Sequence, residues 1–210
     1  MPRRVHTASG AGFSGRIGVF GDGLRGRQGP TLGLTGEAPG DYWFRMRLRR
    51  ILSPLALTFA GLLTGNELGT LAVIHPALSR LPRHAHLLAE QNVTRRYGRV
   101  MPVLMTATFS AAAAAAGSSS GRARWLFAGA AGCYGAMMAV TLAGNVPMNS
   151  ATLRLDEQAP EAELLRIRRR WYRLHVLRVA LDLSGLVLAG LGVTMQSGPF
   201  AGKRTRKRGR

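Results

Sequence analysis

The chain has 210 residues, enough for one ordinary domain, and its single cysteine, Cys133, excludes an internal disulfide and any paired-cysteine metal or redox site. Its 29 Lys and Arg against 10 Asp and Glu give a net charge of +19, which invites a nucleic-acid reading. No nucleic-acid partner is expected, because the charge lies in tails and loops with neither zinc-ligand spacing nor an aromatic RNA-binding signature, and basic clusters beside apolar stretches are held at anionic lipid surfaces.

Residues 1–45 are rich in Gly and Arg, lack hydrophobic period and read as a disordered basic tail. Within them GDGLRG, Gly21 to Gly26, matches G-x-G-x-x-G literally. A dinucleotide fingerprint needs a strand before it and a helix after it. Only Ile17 to Phe20 precedes, and RQGPTLGLTG follows, so the match is dismissed. No apolar signal-peptide core precedes Trp43. Met46 opens MRLRRILSP and reads as an alternative start.

Four segments approach the ~20 apolar residues that cross a bilayer. The first runs from about Ile51 to Ile74, with Pro54 tolerated in its first turn and His75-Pro76 closing it. The second, about Val100 to Gly117, is short and includes six alanines from Ala111, a strongly helix-forming run. The third, about Trp125 to Val146, begins at a tryptophan placed like an interfacial anchor. The fourth, about Leu174 to Met195, follows the amphipathic stretch EAELLRIRRRWYR and carries small residues suited to helix packing. Residues 46–197 are thus expected to form an all-α, four-helix transmembrane bundle, up-down-up-down, with the lipid bilayer as partner and homo-oligomers allowed. Residues 198–210 form a basic tail. Arg45, Arg47, Arg49 and Arg50 at one end and KRTRKRGR at the other place both termini in the cytoplasm, at the plasma membrane.

The polar residues in these apolar segments do not scatter. Of ten acidic residues only Glu67 and Asp182 fall inside them, and Arg178 is the only strong cation there. A carboxylate at the bilayer centre costs about 2.5–3.5 kcal/mol on insertion scales, so Glu67 is expected to be paired, with Arg178 as partner and Asn145 or Asn149 adding hydrogen bonds. His175, Arg178 and Asp182 stand at i, i+3 and i+7 on one helix face, which Trp171 extends. Glu67, Leu71 and His75 form a second stripe. Connectivity brings the end of the first helix, the exit of the third (Asn145, Asn149) and the start of the fourth to one membrane face. The competing structural reading is that this cluster only holds the bundle together. Two histidines and two carboxylates raise a two-His-one-carboxylate site, but no local ligand motif supports it, and no metal is expected.

Three spaced elements carry a family resemblance: GNELGTLAVIHPALSRLP, NVPMNSATL and WYRLHVLRVALDL. They resemble a four-helix membrane family named for anthrone oxygenases, over about Arg50 to Met195. The resemblance implies a small oxygenase that converts a polycyclic anthrone to an anthraquinone with dioxygen and no cofactor. It points to Asn66, Glu67, His75, Asn145, Asn149, Trp171, His175 and Arg178.

On that reading His175 is the base, Arg178 and the asparagines stabilise an enolate oxygen, Glu67 orients Arg178 or His175, and Trp171 stacks on a flat substrate. Asn66, His75 and Asp182 complete the substrate surface. The alternative from another class is a non-enzymatic small membrane protein, transporter-like or an assembly partner, since buried carboxylates also mark ion paths. No inverted repeat between the halves supports transport.

Overall fold

The computed structural model describes residues 39–197; the expected amino-terminal tail up to residue 38, with GDGLRG, and the basic tail from residue 198 lie outside the described residues. Helix α1 (Pro39–Gly69) passes through a π-helical turn, Thr70–Ile74, into the short α2 (His75–Leu78). Helix α3 (Arg83–Ser118) returns, and α4 (Gly121–Val140) runs through a second π turn, Thr141–Asn145, into α5 (Val146–Arg154). Helix α6 (Glu161–Ser197) completes the chain, and no strand occurs among the described residues. Four rods are long and apolar enough to cross a membrane, namely Met46–Leu78, Arg83–Ser118, Gly121–Arg154 and Glu161–Gln196. The protein is an all-α integral membrane protein.

The rods are longer than the apolar runs suggest. At 33 to 36 residues they reach about 50 Å, against a hydrocarbon core of about 30 Å. The second span starts at Arg83 rather than Val100, because HAHLLAEQNVTRRYGR continues the helix as a polar extension. His175, Arg178 and Asp182 are likewise mid-helix and not in first turns, since α6 begins at Glu161. Pro54 lies inside α1 rather than in its first turn. Asn145 and Asn149 precede the end of the third rod at Arg154.

His75-Pro76 does not close the first rod either. A proline in a helix has no N–H to donate, and its ring crowds the carbonyl four residues back. Here the turn before the proline is widened: the His75 N–H bonds Thr70 O, five residues back. The same device precedes Pro147, where the Val146 N–H bonds Thr141 O. Both π turns read T-L-A with a proline four residues further on. In each, the opening threonine hydroxyl donates to a carbonyl four residues back, Thr70 to Asn66 at 2.8 Å and Thr141 to Met137 at 2.9 Å. This correspondence relates the first and third rods.

The centre is packed by small residues against a few large ones. Ala56, Ala60 and Leu63 of α1 meet Ala111, Ala112 and Ala115 of α3 and Phe127, Tyr134 and Met137 of α4. The alanine run thus buries one face and leaves Ala113 and Ala114 outside. Glycines on α6 let α4 approach: a Cβ on Gly185 would sit 2.6 Å from Tyr134 Cζ, and one on Gly192 2.9 Å from Phe127 Cε2. Large apolar side chains such as Leu62, Val73, Val103, Leu142 and Val187 face outward, the inverse of a water-soluble surface. Trp125, 75% exposed, stands at the start of the third span as expected of an anchor.

One end of the bundle is sealed by polar contacts. Arg49 donates to Ser118 O (3.3 Å) and Ser120 Oγ (3.0 Å), Ser53 Oγ to Gln196 Oε1 (2.8 Å), and Gln196 Nε2 to Ser119 Oγ (2.5 Å). The other end is open and holds the cavity described below. Because the Tyr134 ring is fully buried and rigid, Gly185→Ala is expected to destabilise the bundle by about 1–3 kcal/mol, read as a lower unfolding temperature in detergent.

Candidate functional site

The apolar segment of α1 carries Glu67 and that of α6 carries Arg178 and Asp182, and the structure brings Glu67 and Arg178 together. Arg178 Nη2 donates to Glu67 Oε1, and both residues are buried. His175, one turn earlier on α6, lies on the same carboxylate, with Nδ1 3.2 Å from Glu67 Oε2 and Nε2 3.3 Å from the Glu67 main-chain oxygen. The first of these is close but not aligned as a hydrogen bond. The expected pair is therefore present, and His175 packs beside it with Nε2 on the Glu67 main-chain oxygen.

Three rings pack outward from there, the inner two stacked and His75 tilted at 46° to Trp171. Trp171 lies on His175 with centroids 4.5 Å apart and planes at 24°, and His75 lies on Trp171 at 4.3 Å. His75 and His175 are themselves 5.9 Å apart. The indole N–H donates to Asn149 Oδ1 at 2.8 Å, which fixes the ring plane. His75 comes from beyond the first π turn and Asn149 from beyond the second, so both widened turns position this stack.

The asparagines do not behave as expected. Neither Asn145 nor Asn149 bonds Glu67. Asn145 is fully buried, does not line the cavity, and neither of its amide atoms has a hydrogen-bond partner among the described residues. Asn66 donates to Met101 Sδ at 3.3 Å. Asp182 is also fully buried and outside the cavity lining, and its carboxyl oxygens lack hydrogen bonds among the described residues. It lies within electrostatic reach of Glu67 and Arg178, deeper along α6, and so belongs to the packed interior rather than to a substrate surface.

A cavity of about 470 Å³ opens over the stack, lined by Asn66, Glu67, Thr70, His75, Asn149, Trp171, His175 and Arg178 among others. That volume is within the usual range for small-molecule sites, about 300–1,000 Å³. A second cavity of about 530 Å³ lies between the first and fourth spans, and His75, Trp171, Glu90 and Arg168 line both.

The last two residues belong to a group that sequence reasoning missed. Glu90 Oε2 lies 3.2 Å from His86 Nε2 and 3.6 Å from Arg168 Nε, and Arg168 Nη1 lies 3.3 Å from His86 Nδ1. A second Glu-His-Arg cluster thus repeats the residue types of Glu67, His175 and Arg178. The signal was present in sequence, since His86 and Glu90 are four residues apart on one helix face. It is hidden because residues 80–99 precede the apolar segment expected to begin at about Val100 and carry no apolar run of their own. Gln91 beside it donates to Thr152 O (3.1 Å) and Leu155 O (2.9 Å), tying α3 to the end of α5. Among the described residues, no group of three or more His, Cys, Asp or Glu side chains is gathered closely enough to hold a metal ion.

A buried ion pair is costly to break from one side, because the survivor remains charged in a low-dielectric setting. Arg178→Met is therefore expected to lose about 3–5 kcal/mol of stability, with most of it recovered in Glu67→Gln/Arg178→Met. Unfolding in detergent checks this; a loss in the double variant equal to the sum of the two single-variant losses would show that the two residues are uncoupled.

Residues 91–188 match the family model described as anthrone oxygenase. The matched stretch includes Asn145, Asn149, Trp171, His175, Arg178 and Asp182, whereas Asn66, Glu67 and His75 of the first span lie outside it. No curated protein and no solved structure gives a significant match.

Proposed function

We infer, for a chain that carries an anthrone oxygenase-like domain over residues 91–188 in a helical membrane bundle, that the cavity oxidises a flat, apolar aromatic enol with dioxygen. The observation that carries this reading is the ring stack of His75, Trp171 and His175 beside a buried guanidinium, all on one cavity wall. Such a wall suits a planar ring system, and Arg178 is placed to stabilise charge on a developing enolate oxygen in a dry pocket.

The assignment of the base moves from the sequence expectation. His175 packs against Glu67, with Nε2 on its main-chain oxygen and Nδ1 3.2 Å from its carboxylate, and serves as a positioning residue in the Glu67–Arg178 unit. His75 faces the same cavity, and its ring nitrogens make no hydrogen bond among the described residues. A neutral imidazole with a ring nitrogen open to the cavity can accept a proton from an activated carbon. His75 takes the proton, and the resonance-stabilised carbanion reacts with dioxygen to form a C–O bond and a hydroperoxide. Loss of the second hydrogen on that carbon, with cleavage of the O–O bond, leaves the ketone and one water. One substrate and one dioxygen thus give one quinone and one water.

Trp171, locked by Asn149, forms the platform under the ring. The reaction itself draws on no residue outside this wall. A membrane-level cavity also suits an apolar substrate partitioned into lipid. The termini are proposed on the cytoplasmic side; Arg47, Arg49 and Arg50 support this, although Arg95, Arg96 and Arg99 and the basic start of α6 lie at the opposite end. A carboxy-terminal reporter fusion reads that orientation.

The reading is tested by oxygen uptake of detergent-purified protein on an anthrone. His75→Ala is expected to reduce turnover by about 10²–10⁴-fold with the unfolding temperature unchanged. Uptake at the full rate by that variant would reassign the base, and no substrate-dependent uptake by the unmodified protein would remove the oxygenase reading in favour of a non-enzymatic role.

A further inference from the structure

The arginines around the cavity fall into two groups. Arg178 and Arg168 are drawn inside, and each is matched by a glutamate, Glu67 and Glu90 respectively. Arg95 and Arg99 also line the cavity, at its mouth, and neither makes an ion pair or hydrogen bond among the described residues. They are exposed and four residues apart on α3, hence on one face. The lining therefore holds four arginines and two glutamates, and its two uncompensated charges sit together at the rim. Across the rim, α5 contributes Val146, Asn149, Ser150, Thr152 and Leu153, with no carboxylate to answer them.

We propose that Arg95 and Arg99 form an anion subsite of this cavity, so that its ligand is a flat aromatic acid whose rings lie on Trp171 while its carboxylate is held at the mouth. Arginine presents a planar fork of donors that matches a carboxylate in two parallel hydrogen bonds, and two such forks one turn apart enclose a single acid group. Along α3, Arg95 stands about 15 Å from Met105, which lines the cavity from within, so a ligand reaching from the ring wall to the mouth is elongated as well as flat. The interior guanidinia are each paired with a glutamate, whereas the rim pair is not paired among the described residues. This assignment deepens the oxygenase reading by naming the substrate class, but it concerns binding and does not require turnover.

A second arginine pair supplies the control. Arg169 and Arg173 have the same spacing on α6 and line the second cavity but not the first. If the rim arginines act only as general surface charge, the two pairs are equivalent. If Arg95 and Arg99 form a subsite, they are not.

The test uses the full chain with Trp43→Phe and Trp125→Phe, which leaves Trp171 as the sole tryptophan of three, in an uncharged detergent. Quenching of its fluorescence is titrated with anthracene-2-carboxylate and with 2-hydroxymethylanthracene, the neutral analogue. The acid is expected to bind at least about tenfold more tightly. Arg95→Gln/Arg99→Gln abolishes that difference while leaving the affinity for the alcohol unchanged, and Arg169→Gln/Arg173→Gln preserves it. Arg95→Lys/Arg99→Lys keeps the charge but loses the fork, and is expected to recover only part of the preference. Alcohol binding in each variant reports an intact cavity. Equal affinity for acid and alcohol, equal losses in both double variants, or no binding of either probe would overturn the proposal. Tight acid binding without oxygen uptake on any anthrone would leave the subsite standing and remove only the oxygenase reading.

Discussion

Everything at the open end of the bundle depends on the ion pair between Glu67 and Arg178. Each charge alone is unfavourable in a low-dielectric interior, so each span tolerates its own only because the other supplies a partner. The pair also sets geometry: a contact between side chains of two long helices fixes their rotation relative to each other. With α6 held in that rotation, His175 falls on the Glu67 carboxylate and Trp171 on His175. His75 then completes the stack from the far side of the first π turn.

The bundle is graded along its length. At one end, Arg49, Ser53, Gln196 and the serines of the turn between α3 and α4 close the structure with hydrogen bonds. In the middle, alanines and glycines bring helices into close contact around Tyr134 and Phe127. Toward the other end, both proline-associated π turns interrupt regular packing at the level of the cavity, and their first residues, Thr70 and Thr141, line it. A π turn shifts every side chain after it around the helix axis, which re-aims His75 and Asn149 relative to the apolar stretches that precede them.

The two Glu-His-Arg clusters divide the work differently. The inner one is buried among membrane-spanning segments, and its glutamate engages His175 as well as Arg178. The outer one stands on the polar extensions of α3 and α6 and forms part of the wall shared by the two cavities. Together they consume the interior charge and leave the rim arginines without partners among the described residues, which is why the cavity as a whole is positive at its mouth.

Much of this was legible in the chain before any fold was known. Glu67 and Arg178 stand out because a charged residue in an apolar run of bilayer length needs a partner, and only one candidate cation was available. Four helices followed from hydropathy, and the family resemblance from three spaced motifs. The outer cluster was not legible, because a helix that leaves the membrane loses the apolar contrast by which it is recognised, and residues 83–99 looked like loop. Nor were the roles of the histidines and asparagines. Spacing on a straight helix places His75 and Asn149 on particular faces, but each follows a π turn that rotates it away from that expectation. Local sequence thus determined which residues must be paired and which segments must be helical, since those are questions of solvation answered residue by residue. Which histidine contacts Glu67, and whether an asparagine bonds a ring or a carboxylate, were decided only in three dimensions. Those outcomes depend on the rotation of one helix against another, set by contacts between residues more than a hundred positions apart.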